Sequence, residues 1–290
     1  MYPFVLDFAG IRVTSYGLML VLALLAGAAA FALQLRRRGL RPAFAREVIP
    51  WVAVGGVAGA KLYYILLHWQ EFAAAPVAVL TGRGGLVWYG AMLGGIAGFY
   101  LLARLRKLPA LTLFDAAAPA LVLGYAIGRV GCFLVGDDYG LPTASWVGIA
   151  FPEGSPPSTA GYLRSVGAEV PAGIPDWQVL AVHPTQLYEV GLALLIFLVL
   201  WRLSSRWLQP GQLFGLCLAL YGTQRFLIEF IRAKSDRFVL GLTTSQVVSL
   251  LLLCAAAYLW QRGASARRAS PAAGLPVESR IRAAALEGRE

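Results

Sequence analysis

Residues 114–135 read FDAAAPALVLGYAIGRVGCFLV, an apolar run as long as the ~20 residues that an α-helix needs to cross a lipid bilayer. Arg129 lies near the end of this run. A guanidinium within hydrocarbon is energetically costly, so such a residue normally faces a protein interior and marks a functional site. The run therefore predicts a membrane-spanning helix that carries a functional side chain close to one end.

The composition of the whole chain supports the same interpretation. Of its 290 residues 58% are hydrophobic and only 14% are charged, and the mean hydropathy is +0.66, which is too apolar for a soluble domain with a hydrated surface. Seven apolar runs approach the spanning length, at residues 16–35, 48–67, 86–105, 114–135, 184–203, 213–231 and 239–260. We therefore predict an all-α polytopic membrane protein with seven transmembrane helices.

The distribution of basic residues predicts the orientation in the membrane. The net charge of +10 is compatible with nucleic-acid binding, but Lys and Arg also collect in the cytoplasmic loops of membrane proteins. Most of the 25 Lys and Arg residues lie in the first, third and fifth connections and after the seventh run. We expect that side to be cytoplasmic and the N-terminus to lie outside, and no nucleic acid is needed to explain the charge.

The arginines at 36–38 follow the first run, so we interpret this run as a retained helix, not a cleaved signal.

Two polar segments interrupt and follow the apolar runs. Residues 137–182 are rich in Pro and Gly and too long for a plain connector, so we predict a small periplasmic head between the fourth and fifth helices. Residues 263–290 show no spanning pattern and are predicted to form a mostly disordered cytoplasmic tail. The seven-helix domain then covers residues 1–262, with the head as an insertion.

Small residues recur at helical spacing in three of the runs. The glycines concerned are Gly55, Gly59, Gly90, Gly94, Gly98, Gly124 and Gly128. Small residues four positions apart let helix backbones approach closely, so these runs are predicted to pack tightly.

The three cysteines, Cys132, Cys217 and Cys254, all fall in apolar runs without CxxC spacing, so neither disulfides nor a metal site is predicted.

A basic cluster lies on the side predicted to be outside. Arg225 in the sixth run is followed by Arg232, Lys234 and Arg237. Arginine pairs bidentately with phosphate oxygens, so a phospholipid phosphate or another anion would explain the cluster. Snorkelling of these side chains to lipid headgroups is the alternative.

Arg225, Glu229 and Arg232 recur at i, i+4 and i+7, so they share one helical face. A carboxylate between two guanidiniums fixes their orientation, and such a face should point into a polar cavity together with Arg129. Two arginines from different helices would clamp a phosphate and stabilise charge that develops on a leaving group. A purely structural salt bridge within the membrane is the alternative.

Further polar residues lie at the ends of other runs. The fifth run opens with HPTQLYE at 183–189, which places Gln186 and Glu189 on one helical face. His183 is either a base or an interfacial histidine, and Lys61 either pairs with a carboxylate of the site or snorkels. Tyr16 and Tyr89 lie near the outside ends of the first and third runs, where tyrosines usually belong to the interfacial belt.

Taken together, these motifs resemble the bacterial prolipoprotein diacylglyceryl transferase family. The resemblance covers nearly all of the chain except the tail. The matching pieces, in family order, are YGLM at 16–19, GRVG at 128–131, GDDYG at 136–140, HPTQLYE at 183–189, YG at 221–222, RFLIEFIR at 225–232 and LTTSQ at 242–246.

The resemblance implies an enzyme of the bacterial inner membrane. It would move the sn-1,2-diacylglyceryl group of phosphatidylglycerol to the lipobox cysteine of a preprolipoprotein, form a thioether and release glycerol 1-phosphate, without a cofactor. Family members have seven spans, an outside N-terminus and a periplasmic head, in agreement with the loop charges and lengths.

The resemblance also implies site residues, with two departures. Where the family commonly has His-Gly-Gly this chain has Tyr89-Gly90-Ala91, and the signature asparagine is Cys132. The phosphatidylglycerol site is predicted to include Arg129, Arg225, Arg232, Cys132, Asp137, Gly140, His183, Gln186, Glu189 and Lys61.

For the reaction we expect Arg129 and Arg225 to hold the phosphate, with Glu229 orienting Arg225. Because the family histidine is absent, Tyr89, Tyr16 and Asp137 are the candidates that accept or relay the thiol proton. The departures also leave open a paralogue that uses another acceptor. A transporter and a non-catalytic phospholipid-binding protein are further alternatives.

Overall fold

Helices account for most of the chain, as the apolar runs predict. The computed structural model describes residues 4–8, 11–82, 87–206, 208–234, 237–239 and 241–269. The helices in chain order are α1 (Ser15–Arg37), α2 (Phe44–Leu67), α3 (Trp69–Ala74), α4 (Pro76–Thr81), α5 (Trp88–Leu105), α6 (Ala110–Val135), α7 (Ala160–Ser165), α8 (Thr185–Leu203), α9 (Gln212–Ile228) and α10 (Thr244–Ala269). A 3₁₀ turn, Glu229–Ile231, extends α9.

Three short antiparallel strand pairs complete the regular secondary structure of the described residues. They are β1 (Phe4–Phe8) with β2 (Ile11–Thr14), β3 (Ile149–Ala150) with β4 (Ala181–Val182), and β5 (Arg237–Val239) with β6 (Leu242–Thr243). The last hairpin changes the start of the seventh run. The run was predicted to begin a helix at residue 239, but the chain forms strands there and the helix starts at Thr244.

Within the described residues, six helices are long and apolar enough to cross a membrane: Ser15–Arg37, Phe44–Leu67, Ala110–Val135, Thr185–Leu203, Gln212–Ile231 and Thr244–Ala266. Helix α5, which corresponds to the third predicted span, is apolar but shorter. Large apolar side chains on the long helices, such as Leu25, Val54 and Leu195, remain exposed in the isolated chain. Soluble monomers rarely expose apolar surface so extensively. The prediction of a polytopic all-α membrane protein is therefore confirmed.

The described residues belong to two compact units, Phe31–Phe114 and the remainder of the chain. In the first unit, helices α2 and α5 pack through glycines. A Cβ added to Gly94 would lie 2.0 Å from the carbonyl oxygen of Gly55, and one added to Gly59 would lie 2.3 Å from that of Gly90. No side chain fits at such distances, so the predicted close approach is confirmed for these two helices. At Gly128, in contrast, an added Cβ would meet no atom within 4 Å.

The second unit has a core between α6, α8 and α9. Its fully or nearly fully buried members include Ala118, Ala193 and Leu213. At the start of α9 the buried carboxylate of Asp115 accepts hydrogen bonds from the backbone N–H groups of Gly211 (2.8 Å) and Phe214 (2.7 Å). These bonds satisfy N–H groups that have no partner within the helix, and so join the beginnings of α6 and α9.

The segment between α6 and α8, predicted as a head, has a small core of its own. Tyr139, Phe151, Leu163, Ala168 and Val182 are all buried in it. The β3–β4 pair and the backbone hydrogen bonds of Gly140 and Leu141 with His183 bring the end of this segment back to its beginning. Helix α10 continues to Ala269, beyond the predicted start of the tail at residue 263, and the rest of the predicted disordered tail, 270–290, lies outside the described residues.

Candidate functional site

Arg129 lies in the second-to-last turn of α6, and its side chain is only 11% exposed. Its Nε faces the carboxylate of Glu189, and its Nη1 donates to Asp138 Oδ2 over 2.9 Å. The ring of Tyr125, one turn earlier, lies 5.3 Å from Cζ, and the Tyr125 hydroxyl accepts from Nε at 3.2 Å. Arg129 therefore faces polar partners inside the protein, as its cost in hydrocarbon predicts.

Glu189 joins Arg129 to Arg225. It lies in the second turn of α8, and its side chain is 1% exposed. One carboxylate oxygen pairs with Arg129, and the other lies 3.2 Å from Nη1 of Arg225. The two arginines that were predicted to approach each other do so, but a buried carboxylate stands between them.

Arg225, Glu229 and Arg232 lie together, as their spacing predicts. Glu229 Oε2 is 2.7 Å from Nη2 of Arg225 and 3.6 Å from Nη1 of Arg232, and Glu229 is fully buried. The 3₁₀ turn after α9 keeps all three side chains on one side of the chain. Arg225 Nη2 also donates to the hydroxyl of Ser245 in the first turn of α10, over 2.9 Å.

Asp138 closes the arrangement. Its Oδ2 accepts from Arg129, and its Oδ1 pairs with Nη2 of Arg232. Six side chains thus form a closed ring in which each charge has a neighbour of opposite sign on both sides. We call it the charge ring; in order, its members are Arg129, Asp138, Arg232, Glu229, Arg225 and Glu189.

The charge ring contains three guanidiniums and three carboxylates, so its formal charges cancel. Burying a charge is expensive unless it is paired, and the ring pairs every buried member twice, although the contacts of Glu229 are ion pairs without hydrogen-bond geometry. The sequence suggested a cavity with excess positive charge. Because the arginines are neutralised, an anion that binds them has to exchange with a carboxylate or alter the charge of the site.

Contacts from the start of α8 hold the backbone next to the ring. The Thr185 hydroxyl donates to the carbonyl oxygen of Asp138 over 2.8 Å, and the Gln186 amide donates to that of Asp137. Asp138 has φ +58°, in the left-handed region that Asp tolerates better than most residues. This backbone turn directs the Asp138 carboxylate toward the two arginines.

Gly140 lies where three segments of the chain cross. Its N–H donates to His183 O over 2.8 Å, and the N–H of Leu141 donates to Ile231 O over 2.8 Å. A Cβ at Gly140 would lie 2.5 Å from Ile231 O and 2.8 Å from a Thr185 methyl group. Gly140 was predicted to contact substrate; in the structure it allows the loop after α6 to fit between α8 and the end of α9.

Asp137 and Asp138 occupy different environments. Burial, and next to it the charge of Asp138, raise the pKa of Asp137, whose Oδ1 is buried without a hydrogen-bond partner among the described residues. Burial also acts to raise the pKa of Asp138, but Arg232 and Arg129 outweigh it and lower the pKa. The carboxylate that binds the arginines is therefore Asp138, and the predicted role of Asp137 at the lipid stays a prediction.

Cys132 lies beside these carboxylates, one turn after Arg129. Its sulfur is 3.8 Å from Arg129 Nη1. Ligand atoms of Cys132, Asp137 and Asp138 lie within 4.8 Å of one another, a spacing that would suit a metal ion. Both oxygens of Asp138 already bind arginines, so this group does not by itself make a metal site.

Tyr16 and His183 lie near the ring without belonging to it. The Tyr16 ring packs against Gly131, where an added Cβ would be 3.2 Å from Cδ2, and the charges of Asp137 and Arg129 act on its hydroxyl. His183 Nδ1 lies 3.2 Å from the hydroxyl of Tyr188. Tyr16 thus stays a candidate for proton transfer on position, and both interpretations of His183, as a base and as an interfacial histidine, stay predictions.

Two predicted site residues belong to the other compact unit, Phe31–Phe114. Lys61 Nζ donates to Val79 O and to Gly82 O, each over 2.8 Å, and so binds carbonyl groups at the end of α4. Tyr89 lies in the first turn of α5 and is half-buried. Their predicted roles at the lipid stay predictions.

The structure adds residues that the sequence did not single out. Asp138, Tyr125, Thr185 and Ser245 contact ring members or hold them in place. The spacing of Tyr125 and Arg129, i and i+4 on one helix, was a usable signal. The other contacts join segments far apart in the chain and leave no local pattern.

The chain is similar to known proteins along most of its length. The model of the family described as prolipoprotein diacylglyceryl transferase matches residues 3–262. The phosphatidylglycerol–prolipoprotein diacylglyceryl transferase of Gloeobacter violaceus is 32% identical over 279 residues, which cover 93% of this chain and 96% of that protein. Proteins of the same name from Trichormus variabilis (32% identity, 86% of this chain and 84% of the relative) and Clostridium tetani (29%, 87% and 94%) are also similar.

Proposed function

Since the chain belongs to the prolipoprotein diacylglyceryl transferase family, we propose that it transfers the sn-1,2-diacylglyceryl group of phosphatidylglycerol to the lipobox cysteine of preprolipoproteins. A thioether forms and glycerol 1-phosphate leaves. This is the first step of bacterial lipoprotein maturation. The names of the relatives support the reaction, and the buried charge ring supports an anionic substrate group.

The proposed topology has seven spans in the inner membrane, with a periplasmic N-terminus and a cytoplasmic C-terminus. Six long apolar helices and the shorter α5 support the count. The arginines of the odd-numbered connections support the orientation. Residues 137–182 then form the periplasmic head, and the charge ring lies toward the periplasmic side, where the lipobox cysteine becomes accessible.

The proposed role of the arginines is to hold the phosphate of the lipid. Guanidiniums bind phosphate oxygens bidentately, and in a site shielded from water such donors stabilise developing charge more strongly than they would in solution. Glu229 and Glu189, both buried, keep the guanidinium of Arg225 in place. The phosphate therefore meets oriented donors and does not have to organise them.

In the transfer step, the thiolate sulfur attacks C3 of the diacylglycerol part and forms the C–S bond. The C3–O bond breaks, and its electron pair stays on the phosphate oxygen, so the phosphodiester monoanion becomes a monoester dianion. The increase in negative charge occurs beside the arginines of the charge ring, which therefore favour the transition state over the bound lipid.

The proton of the thiol has to leave before or during the attack, because a free cysteine with a pKa of ~8.5 is mostly protonated at neutral pH. Asp137 is a better acceptor than its sequence position suggests, since it is half-buried and its pKa is raised by burial and by Asp138. Tyr16, whose ring packs against Gly131 in α6, is the second candidate. Tyr89 is the third candidate, in the place of the family histidine.

The test is transfer from labelled phosphatidylglycerol to a lipobox peptide by the full chain in membranes. Arg129→Ala and Arg225→Ala should each lower the rate by roughly 10²–10³, the effect of removing one preorganised donor. The matched control is Arg106→Ala, which removes an exposed arginine whose partner is the surface residue Glu47. Full activity in either variant would disprove the assignment of that arginine.

The acceptor is tested separately. Release of glycerol phosphate should depend on the lipobox peptide and disappear when its cysteine is replaced by serine. Equal release with the serine peptide, or none with the cysteine peptide, would contradict the proposed reaction and favour another acceptor.

A further inference from the structure

One member of the charge ring differs from the other five in its environment. The side chain of Asp138 is 42% exposed, whereas the other five are between 0% and 11% exposed. Of the three carboxylates in the ring, Asp138 lies on the loop that follows α6, whereas Glu189 lies within α8 and Glu229 directly after α9. Asp138 is therefore the member that can move into water while the others stay buried.

The contacts of Asp138 are those that a phosphodiester would make. One carboxylate oxygen binds Arg129 and the other binds Arg232, so a single negative charge bridges two guanidiniums through two oxygens. A phosphodiester also carries one negative charge shared by two oxygens, and arginine binds both kinds of group in the same bidentate manner.

The backbone of Asp138 is fixed independently of its side chain. The Thr185 hydroxyl holds its carbonyl oxygen at 2.8 Å. The carboxylate can therefore leave the two arginines by rotation about side-chain bonds, without movement of the loop. Lys234 acts electrostatically on Asp138, so the displaced carboxylate has another cation close by.

We propose that Asp138 occupies, in the resting protein, the anion position between Arg129 and Arg232 that the phosphate of the lipid takes during the reaction, so that Arg232 binds the phosphate in addition to Arg129 and Arg225. This inference rests on the proposed function, because it identifies that phosphate as the substrate group. The exchange conserves charge, since one monoanion replaces another and the ring stays neutral. After the transfer the same carboxylate competes with the phosphate monoester for the two guanidiniums and promotes product release.

The test measures the binding of sn-glycerol 1-phosphate to the purified full chain by calorimetry. Asp138→Asn and Asp138→Gly remove the internal competitor and should each bind the ester at least about tenfold more tightly than the wild type, since a site that is mostly occupied by a competitor shows reduced apparent affinity. Glycine suits the positive φ of this position, so the second variant removes the carboxylate without backbone strain. Glu153→Gln, which removes an exposed carboxylate of the same segment, should bind as the wild type does.

Unchanged or weaker binding in both Asp138 variants would overturn the proposal, because Asp138 would then support the arginines and not compete for them. Failure of both variants to fold would overturn it equally, since the carboxylate could not leave its position. Phosphatidylglycerol in nanodiscs should compete with the ester; a site that binds the free ester but not the lipid would contradict the inference. If the variants bind the ester more tightly but the wild type transfers no diacylglyceryl group, the proposed function is refuted. The inference that Asp138 occupies an anion-binding position would still hold.

Discussion

Replacing Glu189 with glutamine tests the charge ring most directly. The change preserves the shape of the side chain but removes the negative charge that lies between Arg129 and Arg225. Glu189 is 1% exposed and both arginines are 11% exposed, so water cannot take over the role of the carboxylate. The ring then carries a net positive charge within the protein.

The expected effect follows from this burial. Removing one partner of a buried ion pair leaves an uncompensated charge and costs about 3–5 kcal/mol of unfolding free energy. For a chain of this size that corresponds to a melting temperature lower by roughly 6–10 °C. Asp138→Asn removes the same charge from a half-exposed position, where water compensates, and should cost about 1 kcal/mol or less.

The assay is thermal unfolding of the detergent-solubilised full chain, followed by tryptophan fluorescence, for the wild type and both variants. Glu153→Gln serves as the control for a change in net charge at the surface. If Glu189→Gln unfolds at the wild-type temperature, or no lower than Asp138→Asn, the reasoning about the buried ring is wrong.

Three further predictions concern two residues next to the charge ring and one residue at the opposite end of α6. Gly140→Ala should lower the melting temperature by the equivalent of about 1–3 kcal/mol and reduce transfer, because the added Cβ would lie 2.5 Å from a carbonyl oxygen. Burial and the neighbouring Asp138 raise the pKa of Asp137 in the folded chain, so folding favours the protonated carboxyl over the carboxylate. The resulting stabilisation is fully present below the pKa of Asp137 in the unfolded chain and is lost as the pH rises through its pKa in the folded chain. Asp137→Asn should therefore melt at a higher temperature than the wild type at pH 7, and the difference should vanish in melts below about pH 4. Asp115→Ala removes the acceptor for two N–H groups at the start of α9 and should cost about 1–2 kcal/mol in the same melts, with kcat unchanged because the residue lies at the opposite end of α6 from Arg129.

The helices could be predicted from the sequence because hydropathy and length are local properties. The seventh run shows where this fails. Short apolar strands and the start of an apolar helix have similar hydropathy patterns. The residues of the β5–β6 hairpin were therefore assigned to the helix that begins at Thr244. The close packing of α2 and α5 was predictable, since Gly55, Gly59, Gly90 and Gly94 repeat at four-residue spacing.

The site could be predicted in part. The i, i+4 and i+7 spacing placed Arg225, Glu229 and Arg232 together because all three share one face. The pairing of Asp138 with two arginines could not be predicted, because it depends on the left-handed φ of Asp138 and on contacts with a distant segment.

The partners of Glu189 could not be predicted for a similar reason. Its position on a polar helical face was visible in the sequence, but its pairing with arginines of α6 and α9 is set by the packing of three helices. Lys61 shows the same limit, since the carbonyl groups that it binds follow it by 18 and 21 positions.

The charge ring also constrains how the chain is built into the membrane. Its pairs join residues that are synthesised far apart: Glu189 follows Arg129 by 60 positions, and Arg232 follows Asp138 by 94. Helix α6 therefore enters the bilayer before the carboxylate on α8 exists. Arg129 lies within two turns of the end of α6, from where a long side chain can reach water at the interface while it has no partner. We expect the ring to close only when α9 has been inserted, so that its formation completes the assembly of the membrane domain.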